Sequence, residues 1–368
     1  MPPLVRAASL TKFSEIARSA GVDPVRTLRE AGLDPACVTT PDLRLPESSV
    51  ARVFEVSART AGCRSPGVRV GEAWRLSDFG PISLLLQHQP TLRQLLAQIE
   101  NYRHLLSDSV VIHLEETADI AVVHVGLVTG RPEPGPEMVE LTVGVVFSLV
   151  RSALNPQYMP RSVHFAHAAP ASLEVHRRFF GRHVEFDSEF DGIVLARQDL
   201  DRANPLADAH LARYAKELLD LQPRYNPESL ADNVRRTIHV LLPHGQGAIE
   251  PVSFRLGLTP RTLQRQLEQT GQRFSVLLNE IRASHAKRYL AQPRHSMSDI
   301  GELLGFSESS AFSRWFGAEF GKPPSQWRNE HLDPPAASPR SARASKAAAS
   351  TTGDVEPVGL AWEPAQPV

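Results

Sequence analysis

Arg261, Thr262, Gln264, Arg265 and Gln269 share one short stretch whose apolar positions, Leu263 and Leu267, recur at helical spacing. Arginine pairs with guanine and glutamine with adenine through two hydrogen bonds at once. A helix carrying these types is therefore suited to reading base edges in the major groove of DNA. A second set, Ser309, Ser310, Ser313 and Arg314, stands around Phe312 and Phe316 in the same way. The chemistry suggested is hydrogen bonding to bases and phosphates.

The two sets belong to an internal repeat. Leu256-Gly257-Leu258-Thr259 matches Leu304-Gly305-Phe306-Ser307 at an offset of 48, and Leu263, Arg265 and Leu267 match Phe312, Arg314 and Phe316 at 49. Gly271 matches Gly321 at 50. Each unit reads as a short amphipathic helix ending at a glycine, where a positive φ costs little. An apolar corner residue follows (Leu258 or Phe306), then an N-cap (Thr259 or Ser307) opening a second helix. That is the grammar of a helix-turn-helix. Between the units, Phe274–Leu290 reads as one continuous helix that would set their separation, so that both enter successive major-groove segments about 34 Å apart. One such pattern is weak evidence against an ordinary helical bundle. Two in tandem, joined by a rigid helix, are strong evidence for a nucleic-acid reader.

Charge distribution agrees. The formal net charge is only −1, yet Arg261 to Arg294 holds seven bases against two acids, +5, which leaves −6 for the remainder. Arg273, Lys287, Arg288 and Lys322 are the expected phosphate contacts.

No other constellation matches this one. His113, His124, His164, His167, His176 and His183 gather in the front half, but no HExxH or CxxC spacing accompanies them, and no metal site is expected. Glu185, Asp187, Glu189 and Asp191 alternate with apolar residues and fit the polar face of a hairpin better than a cation site. Ser83 and Ser107 lack the context of a nucleophile elbow, and no phosphate loop is present. Neither catalytic residues nor a cofactor are therefore expected. Trp74, Phe79, His88, Tyr102 and Arg103 could line a pocket of apolar walls with a few polar groups, though core packing explains most of them equally well.

The elements that must position these residues follow from length and patterning. At 368 residues, 42% hydrophobic and 22% charged, the chain is of ordinary globular composition and long enough for two or three domains. Helical periodicity runs through 11–20, 24–31, 46–61 and 91–106. Strand-like alternation marks 110–115 and 120–127, and an apolar helix follows at 138–154. Short strands are predicted at 162–167, 184–186 and 192–196, then a helix over 205–221. The expected fold is an α+β regulatory domain over 1–222 and an all-α domain of two helix-turn-helix motifs over 226–330, with a proline-containing linker between them. The Pro-, Ala- and Ser-rich tail, 333–368, is expected to be disordered. Two cysteines, Cys37 and Cys63, make no disulfide framework. With no apolar run of transmembrane length and no secretory signal pattern, a cytoplasmic location is expected.

The segments LGLTPRTLQRQLEQTG and LGFSESSAFSRWFGAEFGKPPSQWR resemble the AraC/XylS family of bacterial transcription regulators, over roughly 228–328. The match departs from the family pattern at Pro251 and Ser253. More loosely, LREAGLDPACV and the stretch from Gly71 to Asp108 resemble the arabinose-binding-type regulatory domain of AraC-like proteins. The resemblance implies a sequence-specific transcriptional regulator, an activator by the commoner outcome, acting on promoter or operator DNA. It also implies a front domain that senses a small molecule or mediates self-association. By it, Arg261, Gln264 and Arg265 contact bases from the first unit, and Ser309, Ser310, Ser313 and Arg314 contact bases or phosphates from the second. Expected partners are DNA, a small-molecule effector, RNA polymerase and a second copy of the chain, with no membrane. Two readings from other classes stay open here: an enzyme with a catalytic front half fused to a DNA-binding domain, and a sequence-independent architectural binder.

Overall fold

The computed structural model describes residues 3–60, 64–129, 134–221, 229–292 and 294–332. Cys63, most of the linker and the 333–368 tail, all read from sequence above, lie outside the described residues. In chain order the elements are β1 (Leu4–Arg6), α1 (Phe13–Ser19), α2 (Pro24–Glu30), β2 (Arg44–Pro46), α3 (Glu47–Ala58) and α4 (Pro66–Ala73). Next come α5 (Ile82–Gln87), α6 (Leu92–Asn101), α7 (Arg103–Leu106), β3 (Val110–Glu116), β4 (Ile120–Leu127), α8 (Pro136–Leu154), β5 (Ser162–His164), α9 (Glu174–Phe180), β6 (Val184–Glu185), β7 (Gly192–Ala196) and α10 (Ala209–Asp220). The rest is helical: α11 (Leu230–Leu241), α12 (Ile249–Arg255), α13 (Pro260–Gln269), α14 (Phe274–Leu290), α15 (Met297–Leu303), α16 (Ser309–Phe320) and α17 (Pro324–Leu332). The front is thus α+β and the back all-α.

A five-stranded sheet runs in the order β3-β4-β7-β5-β6, antiparallel except for the β5–β6 pair, and β1 pairs with β2 in a separate small sheet. Strand β4 alternates strictly. Ala121, Val123, Val125 and Leu127 are buried while the residues between them are half-buried, as period-two geometry requires. The buried set faces α8, the 19-residue apolar helix at the centre of the front core. One contiguous apolar core runs from Val5 to Leu219, and a second, separate one from Ala231 to Phe316.

Four details correct the sequence reading. The predicted helix over 91–106 breaks at Tyr102 into α6 and α7. Helix α10 starts at Ala209, because Asp208 accepts hydrogen bonds from the amides of His210 and Leu211 and fixes the N-cap there. Residues 184–196 are not a hairpin: β5 lies between β6 and β7. Asp191 does not stand on a polar face; its carboxylate accepts from the Ala166 amide at 2.6 Å, and burial pushes its pKa up. The helices α4, α5 and α9 and the pair β1–β2 have no counterpart among the predicted elements.

Candidate nucleic-acid interface

Each helix-turn-helix is built as its local sequence dictates. In the first unit α12 runs from Ile249, placing Pro251 in the opening turn, where its missing N–H costs nothing. Gly257 adopts φ +67° and Gly305, its counterpart, φ +70°, the left-handed corner that a side chain would strain. The Leu258 amide donates to the Ser253 carbonyl at 2.9 Å, closing the turn, and Ser253 itself is buried at the helix crossing. Thr259 caps α13 by accepting from the Thr262 amide at 3.2 Å. In the second unit the predicted cap is displaced by one residue. Glu308, not Ser307, precedes α16, and it makes no side-chain cap bond.

Leu263 and Leu267 are fully buried beneath α13, and Arg261, Gln264, Arg265 and Gln269 are exposed. Thr262 is half-buried and its hydroxyl lies 2.8 Å from that of Thr259, so it belongs to the cap more than to the outer face. Gln264 leans toward the notch formed with Arg273 and the start of α14. On α16, Phe312 and Phe316 are buried, whereas Ser309, Ser310, Ser313 and Arg314 are exposed. Ser310 and Arg314 lie one turn apart on the face opposite the two phenylalanines.

Helix α14 holds the two units. Arg282 donates to the Leu304 carbonyl at 2.8 Å and to the Gly305 carbonyl at 3.1 Å, and its guanidinium lies 4.2 Å from the centre of the Phe306 ring. It therefore satisfies the C-terminal carbonyls of α15 and clamps the turn of the second unit to the linker helix. In the sequence Arg282 shows only as one positive charge among seven between Arg261 and Arg294. Arg328 ties α17 to the other end of α14 through the Leu290 carbonyl, 3.2 Å away.

The expected phosphate contacts divide. Arg273 is exposed at the start of α14. Lys287 lies 4.8 Å from the Phe320 ring centre, and Lys322 pairs with Glu330. Arg288 is a correction: it turns away from the outer helices into a crevice of about 330 Å³ beneath the front sheet, beside Asp191, His239 and His285. Charge in a sequence does not specify which side of a helix carries it.

That crevice also gathers His113 and His124 of β3 and β4, stacked with ring centres 6.0 Å apart. Opposite them, His239 on α11 and His285 on α14 meet edge to face at 4.7 Å. Arg255 reaches His113 Nδ1 at 3.3 Å, and Gln292 donates to the Ala166 carbonyl at 3.2 Å, so the helical part is hydrogen-bonded to the front sheet. Among the described residues no three His, Cys, Asp or Glu side chains converge as metal ligands. Burial, reinforced by the Arg288 charge, lowers His239 to about 4 and depresses His285 as well. Both imidazoles are neutral in the folded chain, whereas in the unfolded chain they take up protons near pH 6.5. Stability should therefore be complete above pH 6.5 and decline as the pH falls toward 4. His239 alone accounts for on the order of 2 kcal/mol by pH 5. Urea denaturation at pH 7.5 and pH 5 reads this loss, and His239→Gln is expected to shrink the difference between the two.

Of the five residues proposed for a pocket, three line one. Trp74, Phe79 and Arg103 border an apolar cavity of about 120 Å³ between α6, α7, α8 and strand β3. Tyr102 instead donates to Asp220 at 2.6 Å, and His88 Nδ1 binds the Leu206 carbonyl at 2.8 Å. No described helix is long and apolar enough to cross a membrane.

Comparison with known proteins agrees with this architecture. Residues 21–204 match the family described as the arabinose-binding domain of AraC transcription regulator, N-terminal, and residues 252–330 match a helix-turn-helix domain family. The chain is 30% identical over 327 residues to the HTH-type transcriptional regulator VirS of Mycobacterium tuberculosis, covering 88% of this chain and 96% of that one. It is 27% identical over 232 residues to the HTH-type transcriptional activator RhaR of Escherichia coli, covering 62% of this chain and 78% of RhaR. A solved structure of the transcriptional regulator CdpR from Pseudomonas aeruginosa aligns over 83% of this chain and 97% of that chain, with 21% identity and a TM-score of 0.39. An arabinose-binding-type front, a helix-turn-helix back and a full-length relative place the chain in the AraC family of DNA-binding transcriptional regulators, a family of regulators and not of enzymes.

Proposed function

We propose that the chain is a sequence-specific, effector-responsive regulator, acting as an activator at a promoter through contacts with RNA polymerase, in the cytoplasm. In this reading residues 1–222 sense the signal and residues 226–330 bind DNA. The separation of the apolar cores, one ending at Leu219 and the other beginning at Ala231, supports that division. The carrying observation is that α13 precedes and α16 follows the linker helix α14 in the chain, each with its polar residues exposed and its apolar ones buried. Arg261, Gln264, Arg265 and Gln269, with Thr262 in support, read the first half-site. Ser309, Ser310, Ser313 and Arg314 read the second, and Arg273 adds a phosphate contact. The exposed stripe Leu211, Tyr214, Leu218 and Leu221, at alternating spacings of three and four along and just beyond α10, supports a homodimer.

The test is fluorescence anisotropy at about 150 mM salt, with DNA from upstream of the protein's own gene against scrambled DNA. Wild type is expected to select the first probe. Arg265→Ala should weaken that binding by roughly 1–3 kcal/mol while leaving binding to scrambled DNA nearly unchanged. Equal affinity for both probes would sink the sequence-specific reading. Sedimentation velocity on the same samples reports whether two copies associate.

A further inference from the structure

The cavity between α6, α7, α8 and strand β3 is walled by Leu141, Val146 and Leu149 of α8 together with Phe79, and its polar atoms are almost all spoken for. The Thr142 hydroxyl donates to the Met138 carbonyl at 2.8 Å, and the Ser9 hydroxyl donates to the Arg6 carbonyl at 2.9 Å. Arg6 commits its guanidinium to the carbonyls of Phe79 and Asp78 and to the Asp42 carboxylate. Arg103 pairs with Glu100. Trp74 is the exception: only 8% exposed, it lines the cavity, and its indole Nε1–H has no acceptor. An unpaired buried donor costs free energy comparable to a lost hydrogen bond. An apolar cavity of about this size can take a small apolar molecule.

We propose that this cavity is the effector site, that its ligand is a small, mainly apolar molecule carrying one hydrogen-bond acceptor for Trp74 Nε1, and that its occupancy is transmitted to the DNA-binding helices through Arg103. The last link is direct. Arg103 lies on the one-turn helix α7 that borders the cavity, and its guanidinium donates to Asn233 on α11, the first helix of the second core. On the same seam, Arg236 of α11 donates to the Asp108 carbonyl at 2.9 Å, just beyond α7. A ligand pressing on α7 therefore shifts the anchor point of α11. This transmission rests on the reading of the chain as an effector-responsive DNA binder; the ligand site does not.

The experiment titrates the full chain by calorimetry with acetophenone and with cumene, two probes of nearly the same shape of which only the first carries an acceptor. Both are expected to bind saturably, acetophenone about tenfold more tightly. Trp74→Phe should keep cumene binding and erase the preference. Val146→Phe, which fills the cavity, should abolish both, with Thr142→Leu as the alternative filler if the first variant does not fold. Absence of saturable binding by wild type, a preference that survives Trp74→Phe, or binding that survives a folded filled-cavity variant would overturn the site. For the transmission, acetophenone is expected to change the anisotropy-measured affinity for the upstream DNA in wild type, and Arg103→Ala should bind acetophenone but lose that change. An unchanged DNA response in Arg103→Ala would refute the Arg103 link. Failure of wild type to bind DNA with or without acetophenone would refute the regulatory reading and leave the calorimetric result standing.

Discussion

Phe316→Ala is expected to destabilise the second helix-turn-helix by about 3–5 kcal/mol, the range for truncating a fully buried aromatic. Phe316 has no exposed surface and packs against Phe312, Trp315, Phe320 and Trp327, with ring centres 4.4 to 6.4 Å away. Those rings join α16 to α17 and seat α16 on the rest of the second core. Removing the central ring leaves a void that its neighbours cannot fill without giving up their own contacts. Such a loss is a large part of a domain's total stability, so the unit that presents Ser310 and Arg314 should melt within the physiological range. DNA affinity should then fall to the nonspecific level, on the order of 10³-fold weaker. Arg314→Ala, at an exposed position on the same helix, should leave the melting curve unchanged to within about 0.5 kcal/mol. Calorimetric melting of the two variants beside anisotropy separates loss of the fold from loss of readout. Equal melting temperatures would contradict the packing argument.

How much of this was legible follows from the kind of information each feature needs. The helix-turn-helix units are local: a glycine at the corner, a capping threonine and apolar residues a turn apart specify them within some twenty residues, and the repeat supplies an internal check. Strands β3 and β4 were equally legible, because alternation is a local property of a half-buried strand. Sheet order is not local. Nothing in residues 184–196 says that β5 will insert between β6 and β7. The same holds for the crevice. His239 and His285 are 46 positions apart, and no spacing rule links them; only the packing of α11 on α14 brings their rings together. Arg288 was misassigned for a related reason, since its neighbours Lys287 and Tyr289 face different surroundings and sequence charge is silent about orientation. Trp74, Phe79 and Arg103 were recoverable as pocket candidates from residue type alone. Tyr102 and His88 carry the same signal and went elsewhere because long-range partners, Asp220 and Leu206, captured their polar atoms.

The least legible element, α4, carries the other large prediction. Its sequence, PGVRVGEA, has two glycines and two valines in eight residues, a composition that disfavours a helix on propensity alone. The glycines are there for contact. A Cβ built on Gly67 would lie 2.0 Å from the carbonyl oxygen of Glu137, and one on Gly71 would lie 2.9 Å from the Cα of Gly144. Helices α4 and α8 thus touch backbone to backbone, and the Ser148 hydroxyl completes the crossing by donating to the Gly71 carbonyl at 3.0 Å. Because the obstructing atoms at Gly67 are main chain, they cannot swing aside as a flexible side chain would. Gly67→Ala must push α8 out of the front core, and a cost of about 3 kcal/mol is expected, at the upper end for overpacking. At roughly 2–4 °C per kcal/mol for a domain of this size, the melting temperature should fall by about 6–12 °C. Gly317→Ala provides the opposite sign. It also lies in a helix, α16, yet its added methyl meets nothing within 4 Å, so it should stabilise by roughly 0.5–1 kcal/mol through reduced backbone entropy in the unfolded chain. Scanning calorimetry of the two variants against wild type reads both signs. If Gly67→Ala melted with wild type, the close approach of α4 and α8 would not exist in solution.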